Sequence, residues 1–539
     1  MQKSKGKPAI MDRVSIYTQL FLLNLIDITT LGGSLMTKDT NSSLSSVSML
    51  LTFLSLLLSQ LNYNIFTKIP VAVCAGPILE ASTLITKLCT SISKKVDEKG
   101  LIINCVVALC ICTLIYGIIS IIISIFDVTD YLFLIPHSMI VGILSAVGIM
   151  LINLSYQLLE VKATGKEKLG IFYFIFLVIV ALIIVFLEKR YNFNYLPPFF
   201  LLIVTIGLFA TKIIFKINED FLIKYTIISS KVSLNEGLKI LRKNFDFKLL
   251  NFKVIFKEYR NIIALSFFYL LHLPINLSSY SKVTKVKFNL KKEFRTQGLS
   301  NILGSVLVIP VYFICCYSIM LAESGCSTFL DGILLVLVYS FNYFLAGTVR
   351  SCVPVLGLAL FPVLIGYSFC INGFTAIQDG SLIEFLVIWI IAIIGGFEIL
   401  AMYNLFALGV IFSFIYYFVS DWYYKKCKEA YNSRFMEEFS QNFGYLKVNY
   451  LLYFKNAGKF KRDSAKINSN TIIIDLIGCG AFDMLGNEVF RDNINEDRTY
   501  FVIGSPANFN LGPISGLKNV YLCNDYLHAS EKISEVTQK

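Results

Sequence analysis

The feature that most narrows the fold of this chain is a series of apolar runs too long for the core of a soluble domain. Residues 101–126 are apolar but for a few Ser, Thr, Asn and Cys, and so, apart from Asp331, Glu384 and Glu398, are 171–187, 199–210, 329–345, 353–370 and 383–419. One crossing of a bilayer takes about 20 apolar residues. In hydrocarbon every backbone N–H and C=O must be bonded internally, which leaves helices or closed barrels. The runs are continuous and do not alternate, so they select helices. The last run is nearly twice one crossing and divides in two. Spans are expected near 13–36, 44–62, 69–89, 101–126, 129–158, 168–187, 196–217, 259–281, 293–309, 312–323, 326–346, 349–370, 382–397 and 398–421, about fourteen in all.

Composition agrees. Hydrophobic residues make up 56% of the 539 and charged ones 16%, where soluble domains carry about 25% charge. Residues 1–8 are basic and polar, and the apolar run that follows is too long and interrupted for a signal peptide. A cytosolic N-terminus is therefore expected. The net charge of +12 reads as loops at an anionic lipid surface rather than as a nucleic-acid footprint. The 13 Cys lie mostly in spans and form no CxxC pair. Buried Cys behaves as a small hydrophobe, so neither a metal site nor a disulfide framework is inferred. His137, His272 and His528 are far apart, and HExxH, GxSxG and Walker patterns are absent. The chain reads as neither an enzyme nor an ATP-driven pump.

Two segments are poor as full crossings. Near 69–89, Ala75-Gly76-Pro77 breaks the run and Glu80 and Lys87 follow. Near 312–323, Pro310 precedes a short run closed by Glu323. They are the third of the first seven and the third of the second seven. Short, Gly/Pro-interrupted segments at matching places in two halves point to half-helices at a transporter's central site. Lys282, Lys285, Lys287, Lys291, Lys292 and Arg295, with Lys425, Lys426 and Lys428, fall on the cytosolic side. The same count puts the long basic loop before Tyr259 outside.

Beyond Trp422 the composition turns polar. Residues 471–475, 500–503 and 520–522 read as buried strands, 444–454 as an earlier one, and Asp483 and Asp525 as helix caps. Strands alternating with helices make a small α/β domain. The expected division is a transmembrane domain over 1–423, a linker over 424–442 and the α/β domain over 443–539.

Several residues could carry chemistry. Glu80 is ionisable inside an apolar stretch, which favours a functional role; the other reading is solvation at the interface. Asp27 either faces a cavity or a partner helix, or makes a structural hydrogen bond. His272 and Asn276 flank Pro274 in an apolar run, where they either bind an ion or a proton or brace a neighbouring helix. Cys315, Cys316, Tyr317 and Ser318 open the second short segment, where a helix N-terminus offers free N–H groups to an anion. Ordinary packing is the alternative. Glu293 is expected to satisfy a helix N-terminal dipole.

At this point the motifs resemble a family. The stretch NLKKEFRTQGLSNILG over 289–304, with Gly298 and Asn301 in a G-x-x-N pattern, is similar to that of the SulP (sulfate permease) transporters. So are Phe133-Leu-Ile-Pro136 with Gly142, and Ala75-Gly76-Pro77. The tail TIIIDLIGCGAFDMLGNEVF, then TYFVIGS, resembles a STAS domain. Residues 271–276, with Asn24 and Asp27, look like the fungal vacuolar branch.

The resemblance implies an α-helical polytopic membrane protein of seven-plus-seven inverted repeats, a UraA-like core and gate, elevator-like alternating access and a homodimer. It implies a substrate site between half-helices three and ten, with the eighth helix beside it: Ala75, Gly76, Glu80, His272, Asn276, Phe313, Cys315, Cys316 and Ser318. Asp27, Glu293 and Asn301 are coupling or structural candidates. No cofactor is implied beyond a coupling proton or sodium, whose acidic place on helix eight is held here by His272. Sulfate or another anion is the family default. Glu80 and the lack of a basic residue at the tenth segment keep basic amino acids open, and an uncoupled anion channel is a third reading. The membrane is the plasma membrane or a vacuole-like organelle, with both termini cytosolic. Met484 and Leu485 stand where STAS loops often have Ser, which argues against a phospho-switch there.

Overall fold

The apolar runs fold as helices, because only a helix bonds its own backbone within one segment. The computed structural model describes residues 10–34, 42–77, 81–126, 137–159, 167–191, 196–229 and 232–397 apart from 287, 307–308, 311, 327 and 379–381, then 404, 411–412, 414–419 and 422, and 444–537 apart from 449–451, 453, 468, 477–478, 480–481, 483, 495–496, 505–518 and 525. The proposed linker 424–442, Glu80, 133–136, Asp483 and Asp525 lie outside the described residues.

In chain order the elements are α1 (Ile10–Ser34), α2 (Ser42–Phe66), β1 (Ala75–Gly76), α3 (Ser82–Ser93), α4 (Glu98–Ile125), α5 (His137–Leu158), α6 (Glu167–Tyr191), α7 (Leu196–Ile214), α8 (Glu219–Lys224), α9 (Leu234–Asn244), α10 (Phe252–Lys257), α11 (Tyr259–Thr284), α12 (Leu290–Gly304), β2 (Tyr312–Phe313), α13 (Cys315–Glu323), α14 (Phe329–Ser340), α15 (Asn342–Cys352), α16 (Val355–Thr375) and α17 (Leu382–Gly396). Then come β3 (Gly444–Lys447), α18 (Phe454–Ala465), β4 (Thr471–Asp475), α19 (Met484–Asp492), β5 (Thr499–Ile503), β6 (Val520–Cys523) and α20 (Tyr526–Thr537).

Among the described residues, six helices are long and apolar enough to cross a membrane, or seven if α14 and α15 form one span bent by 49°. Phe199–Ile214 and Leu382–Gly396 are shorter apolar helices. The sequence leads one to expect a span near 326–346, and the helix breaks within it. The Ser340 hydroxyl donates to Leu337 O at 2.6 Å, and such back-bonding competes with the helical ladder and favours a bend. The loop before Tyr259 also differs from its reading, since it holds α8, α9, a 3₁₀ turn at Phe247–Leu249 and α10.

The chain divides into two units, Met1–Thr129 with Met150–Tyr367, and Asp130–Ile149 with Ser368–Lys539. In the first, α4 and α12 press backbone to backbone: a Cβ on Gly298 would stand 2.9 Å from Gly117 O and 2.7 Å from Ile121 Cγ1. Small residues let membrane helices approach this closely. The segment between α7 and α11 caps one end of this unit. Gly237 of α9 lies against the backbone of Ser46 near the start of α2. Asn104 of α4 donates to Leu249 O at 3.0 Å and accepts from Asn251 N–H at 2.8 Å. Glu258, at the start of α11, accepts from Ser91 at 2.7 Å and Asn261 at 2.6 Å and pairs with Lys95. The start of α12 meets the end of α2 at the opposite end of the unit, through Glu293.

In the second unit Val141 of α5 packs with Ala376, Ile388 and Trp389. Its C-terminal sheet is parallel throughout, in the order β3-β4-β5-β6. Leu446, Ile474 and Val502 sit in register beneath α18 and α19, with Phe460 and Phe490 above them and Tyr417 in the same cluster. Ile473, Phe501 and Ile503 face Ala529 and Ile533 of α20. Both faces are covered, as parallel sheets require. The four strands expected from the sequence are these four.

Two measurements test these contacts. Gly298→Ala should wedge α4 from α12 and cost about 1–3 kcal/mol, seen as a lower unfolding temperature of the purified protein in detergent. Burial raises the Glu258 carboxyl, but Lys95, Ser91 and Asn261 outweigh it and hold the group below its ordinary 4.5. A lowered carboxylate stabilises fully above the ordinary value and loses that stabilisation as pH falls through the lowered one. Thermal stability of the wild type should therefore drop on acidification below 4.5, and Glu258→Gln should be less stable at neutral pH with a flatter acid limb.

Candidate functional site

Two interruptions of the apolar pattern meet in the first unit. β1 and β2 pair antiparallel, with Ala75 opposite Phe313 and Gly76 opposite Tyr312. Ile314 N–H extends the pairing to Cys74 O at 2.9 Å. So short a ladder leaves its outer backbone groups without strand partners, and in this buried place each costs free energy unless a side chain bonds it. Gln60 of α2 does so on one edge. Its Oε1 accepts from Ala75 N–H at 2.9 Å and its Nε2 donates to Val73 O at 2.8 Å. Ser59 donates to Ala75 O at 3.2 Å. Ser318 accepts from Cys74 N–H at 2.9 Å and donates to Ile314 O at 2.6 Å.

Each strand leads towards a half-helix. α3 begins at Ser82 and α13 at Cys315, and neither has a side-chain cap or an acidic residue in its first turn. A helix N-terminus of this kind carries a partial positive charge and outward N–H donors. In the first turn of α3 the Ser82 and Thr83 hydroxyls are buried and have no hydrogen-bond partner among the described residues. At the matching place in α13, Cys315 is half-buried and Cys316 exposed.

A third wall is α11, which packs against α13, β2 and α3. Tyr280 sets its ring edge-on to Phe313 at 5.3 Å, and Tyr63 of α2 approaches the same ring at 6.2 Å. His272, Asn276 and Tyr280 follow one another at four-residue spacing, so they form a stripe on one face of α11. His272 Nδ1 lies 2.9 Å from Phe268 O. A carbonyl only accepts, so Nδ1 carries the proton. Asp27 of α1 accepts from Tyr317 of α13 at 2.7 Å, and Tyr339 of α14 reaches Cys74 Sγ at 3.8 Å.

The structure thus brings together Ala75, Gly76, Phe313, Cys315, Cys316 and Ser318, packs α11, which carries His272 and Asn276, against them, and ties Asp27 to the same half-helix. Glu80 lies outside the described residues, one place ahead of Ala81, which opens α3. Glu293 does more than meet a helix dipole. It is buried and accepts from Tyr63 at 3.1 Å, Thr67 at 3.0 Å and Lys68 N–H at 3.0 Å. It reaches the cradle through Tyr63, whose ring approaches Phe313. Asn301 is buried in α12 and bonds Gln297 O of its own helix at 2.9 Å. Sequence reasoning missed Ser59, Gln60, Ser82 and Thr83. The signal was present: a Ser-Gln pair inside a Leu-rich run, and a Ser-Thr pair a few residues after a Pro break.

Comparison with known proteins follows this geometry. The profile of the sulfate permease family matches residues 41–392. No curated protein matches the sequence significantly. Among solved structures, the transmembrane domain of the cyanobacterial bicarbonate transporter BicA aligns with a TM-score of 0.53 at 13% identity, over 75% of this chain and 97% of that one. The overall structure of SLC26A9 aligns at 0.53 and 12% identity, over 98% and 92%. Murine Slc26a9, an anion transporter in its inward-facing state, aligns at 0.54 and 13% identity, over 99% and 93%. At such identities the likeness is one of fold.

Gln60→Leu should strand Ala75 N–H and Val73 O together. Each buried group left unbonded costs about 1–3 kcal/mol, so thermal unfolding in detergent should fall by several degrees, with a smaller fall for Ser318→Ala.

Proposed function

As the chain belongs to the sulfate permease family, we propose that it is a secondary transporter that carries a small inorganic or organic anion, bound between the N-termini of α3 and α13. The observation that carries this reading is the pair of half-helices without side-chain caps or first-turn acids, with the Ser82 and Thr83 hydroxyls in the first turn of α3. Such ends attract negative charge, and hydroxyls supply directed donors. The names of the similar proteins, transporters of bicarbonate and of anions, support an anion as cargo. The family model is that of a permease family, and a non-catalytic role is the simpler reading.

In this reading the cradle moves as one body through elevator-like alternating access in a homodimer. Asp27 takes the coupling proton, its carboxylate steadied by Tyr317, since His272 holds the place where relatives of this type carry an acid. The C-terminal α/β unit acts as a STAS-like module for dimer contact or regulation. One feature favours a second cargo: Glu80 puts a negative charge directly ahead of α3, which suits a basic amino acid at a vacuole-like membrane.

Uptake into proteoliposomes separates the two. Labelled sulfate and labelled arginine are offered with and without a pH gradient. Saturable sulfate uptake is expected. Ser82→Ala with Thr83→Val should raise its KM about tenfold or more, the worth of lost hydrogen bonds to a charged group. Asp27→Asn should keep exchange and lose the gradient dependence. Arginine uptake abolished by Glu80→Gln would transfer the assignment to the cationic cargo, and non-saturating anion current would transfer it to a channel.

A further inference from the structure

The segment that leads into α11 repeats one arrangement four times. Phe247-Lys248, Phe252-Lys253, Phe256-Lys257 and Tyr259-Arg260 each place an aromatic residue directly before a basic one. The structure exposes all eight side chains, with Phe247 and Phe256 each 68% accessible. On α10 and its continuation, Phe252, Phe256 and Tyr259 fall at i, i+4 and i+7, and so do Lys253, Lys257 and Arg260. Aromatic and basic residues therefore form two adjoining stripes. The Phe252 and Phe256 rings lie 6.4 Å apart, and the Arg260 guanidinium sits 5.5 Å over the Tyr259 ring.

The opposite face is the one that packs. Val254 and Ile255 are buried. Asn104 fastens Leu249 and Asn251, and Glu258 is held by Ser91, Lys95 and Asn261. The exposed stripes are thus not a frayed loop, because a built inner face presents them outward. The carboxylates of the stretch do not cancel the charge. Glu258 is buried and paired with Lys95, and only Asp246 is exposed, accepting from Lys248 N–H at 2.9 Å.

Position selects the occupant. Tyr259 begins a membrane-crossing helix, Tyr259–Ser281, so α10 lies within a turn or two of the bilayer surface. Exposed rings beside lysines are costly in water. At a lipid interface the rings enter the acyl boundary and the lysines reach up to the phosphates. We propose that Phe247–Arg260 is a lipid-binding face that lies on the bilayer and holds anionic phospholipid headgroups through Lys248, Lys253, Lys257 and Arg260. Because its inner face is fastened to α4 and to the end of α3, a lipid held here is held to the same unit that carries the cradle.

The test uses the full chain in proteoliposomes, with Phe256→Trp as the reporter and Trp389→Phe and Trp422→Phe as a silent background. Tail-brominated phosphatidylcholine or tail-brominated phosphatidylglycerol is added at equal mole fraction. Quenching by both lipids is expected, and clearly stronger quenching by the anionic one. Lys248→Gln, Lys253→Gln and Lys257→Gln together should cut the excess at least about fivefold, the worth of one lysine near a charged surface, while the three Lys→Arg changes should keep it. No quenching by either lipid would put the face in water or against a second copy of the chain and overturn the proposal. Equal quenching by the two lipids in the lysine-bearing reporter would overturn it as well, and that comparison stands even if the Gln variant fails to fold. The readout needs no transport, so it is independent of the cargo assignment.

Discussion

A backbone amide at hydrocarbon depth has no water to bond, and this governs how the chain can depart from a helix inside the membrane. Among the described residues it departs into short strands at 75–76 and at 312–313, and these two segments answer each other through Ala75 and Phe313. What two strands leave open, Gln60, Ser59 and Ser318 close. α3 and α13 begin close by, each without a side-chain cap. In the proposed reading, the anion site is a consequence of this broken and repaired ladder.

The repair makes α2 the spine of the first unit. It packs against α1, α9, α12, α14 and β1. Some of its hydroxyls bond to their own helix, as Thr52 does to Ser48 O at 2.9 Å and Ser55 to Leu51 O at 2.7 Å. A helix that satisfies its polar groups internally can sit among apolar neighbours without penalty and still offer a lone pair where one is needed. Ser55 does this for Ile309 N–H at 2.8 Å. Glu293 closes the other end of the spine by gathering Tyr63, Thr67 and Lys68.

Much of this was legible before the coordinates. Continuous apolar runs can only be helices in lipid, and Ala75-Gly76-Pro77 cannot continue one, so the third segment of each half stood out on composition alone. The parallel strands of the C-terminal unit showed as short Ile- and Val-rich runs, because both faces of such a sheet are buried. What stayed hidden depends on pairing across long sequence distance. Glu293 looks like a helix-start charge until α2 is placed beside it. Gln60 looks like a stray polar residue until Ala75 turns towards it. The bend at Ser340 and the short helices before Tyr259 were lost for a different reason: a local hydrogen bond and a short amphipathic turn leave almost no periodicity.

The pairing of Ala75 with Phe313 also has a consequence in time. The two residues are 313 − 75 = 238 positions apart, and a ribosome adding about 5–20 residues per second takes tens of seconds to make the second after the first. Throughout that interval the first break has no strand to lie against. Its nearest support, Ser59 and Gln60, belongs to the helix made just before it, and those two side chains reach Ala75 and Val73 without anything from the second half. The early half of the protein thus holds, in Ser59 and Gln60, bonding partners for the break that do not wait for the late half.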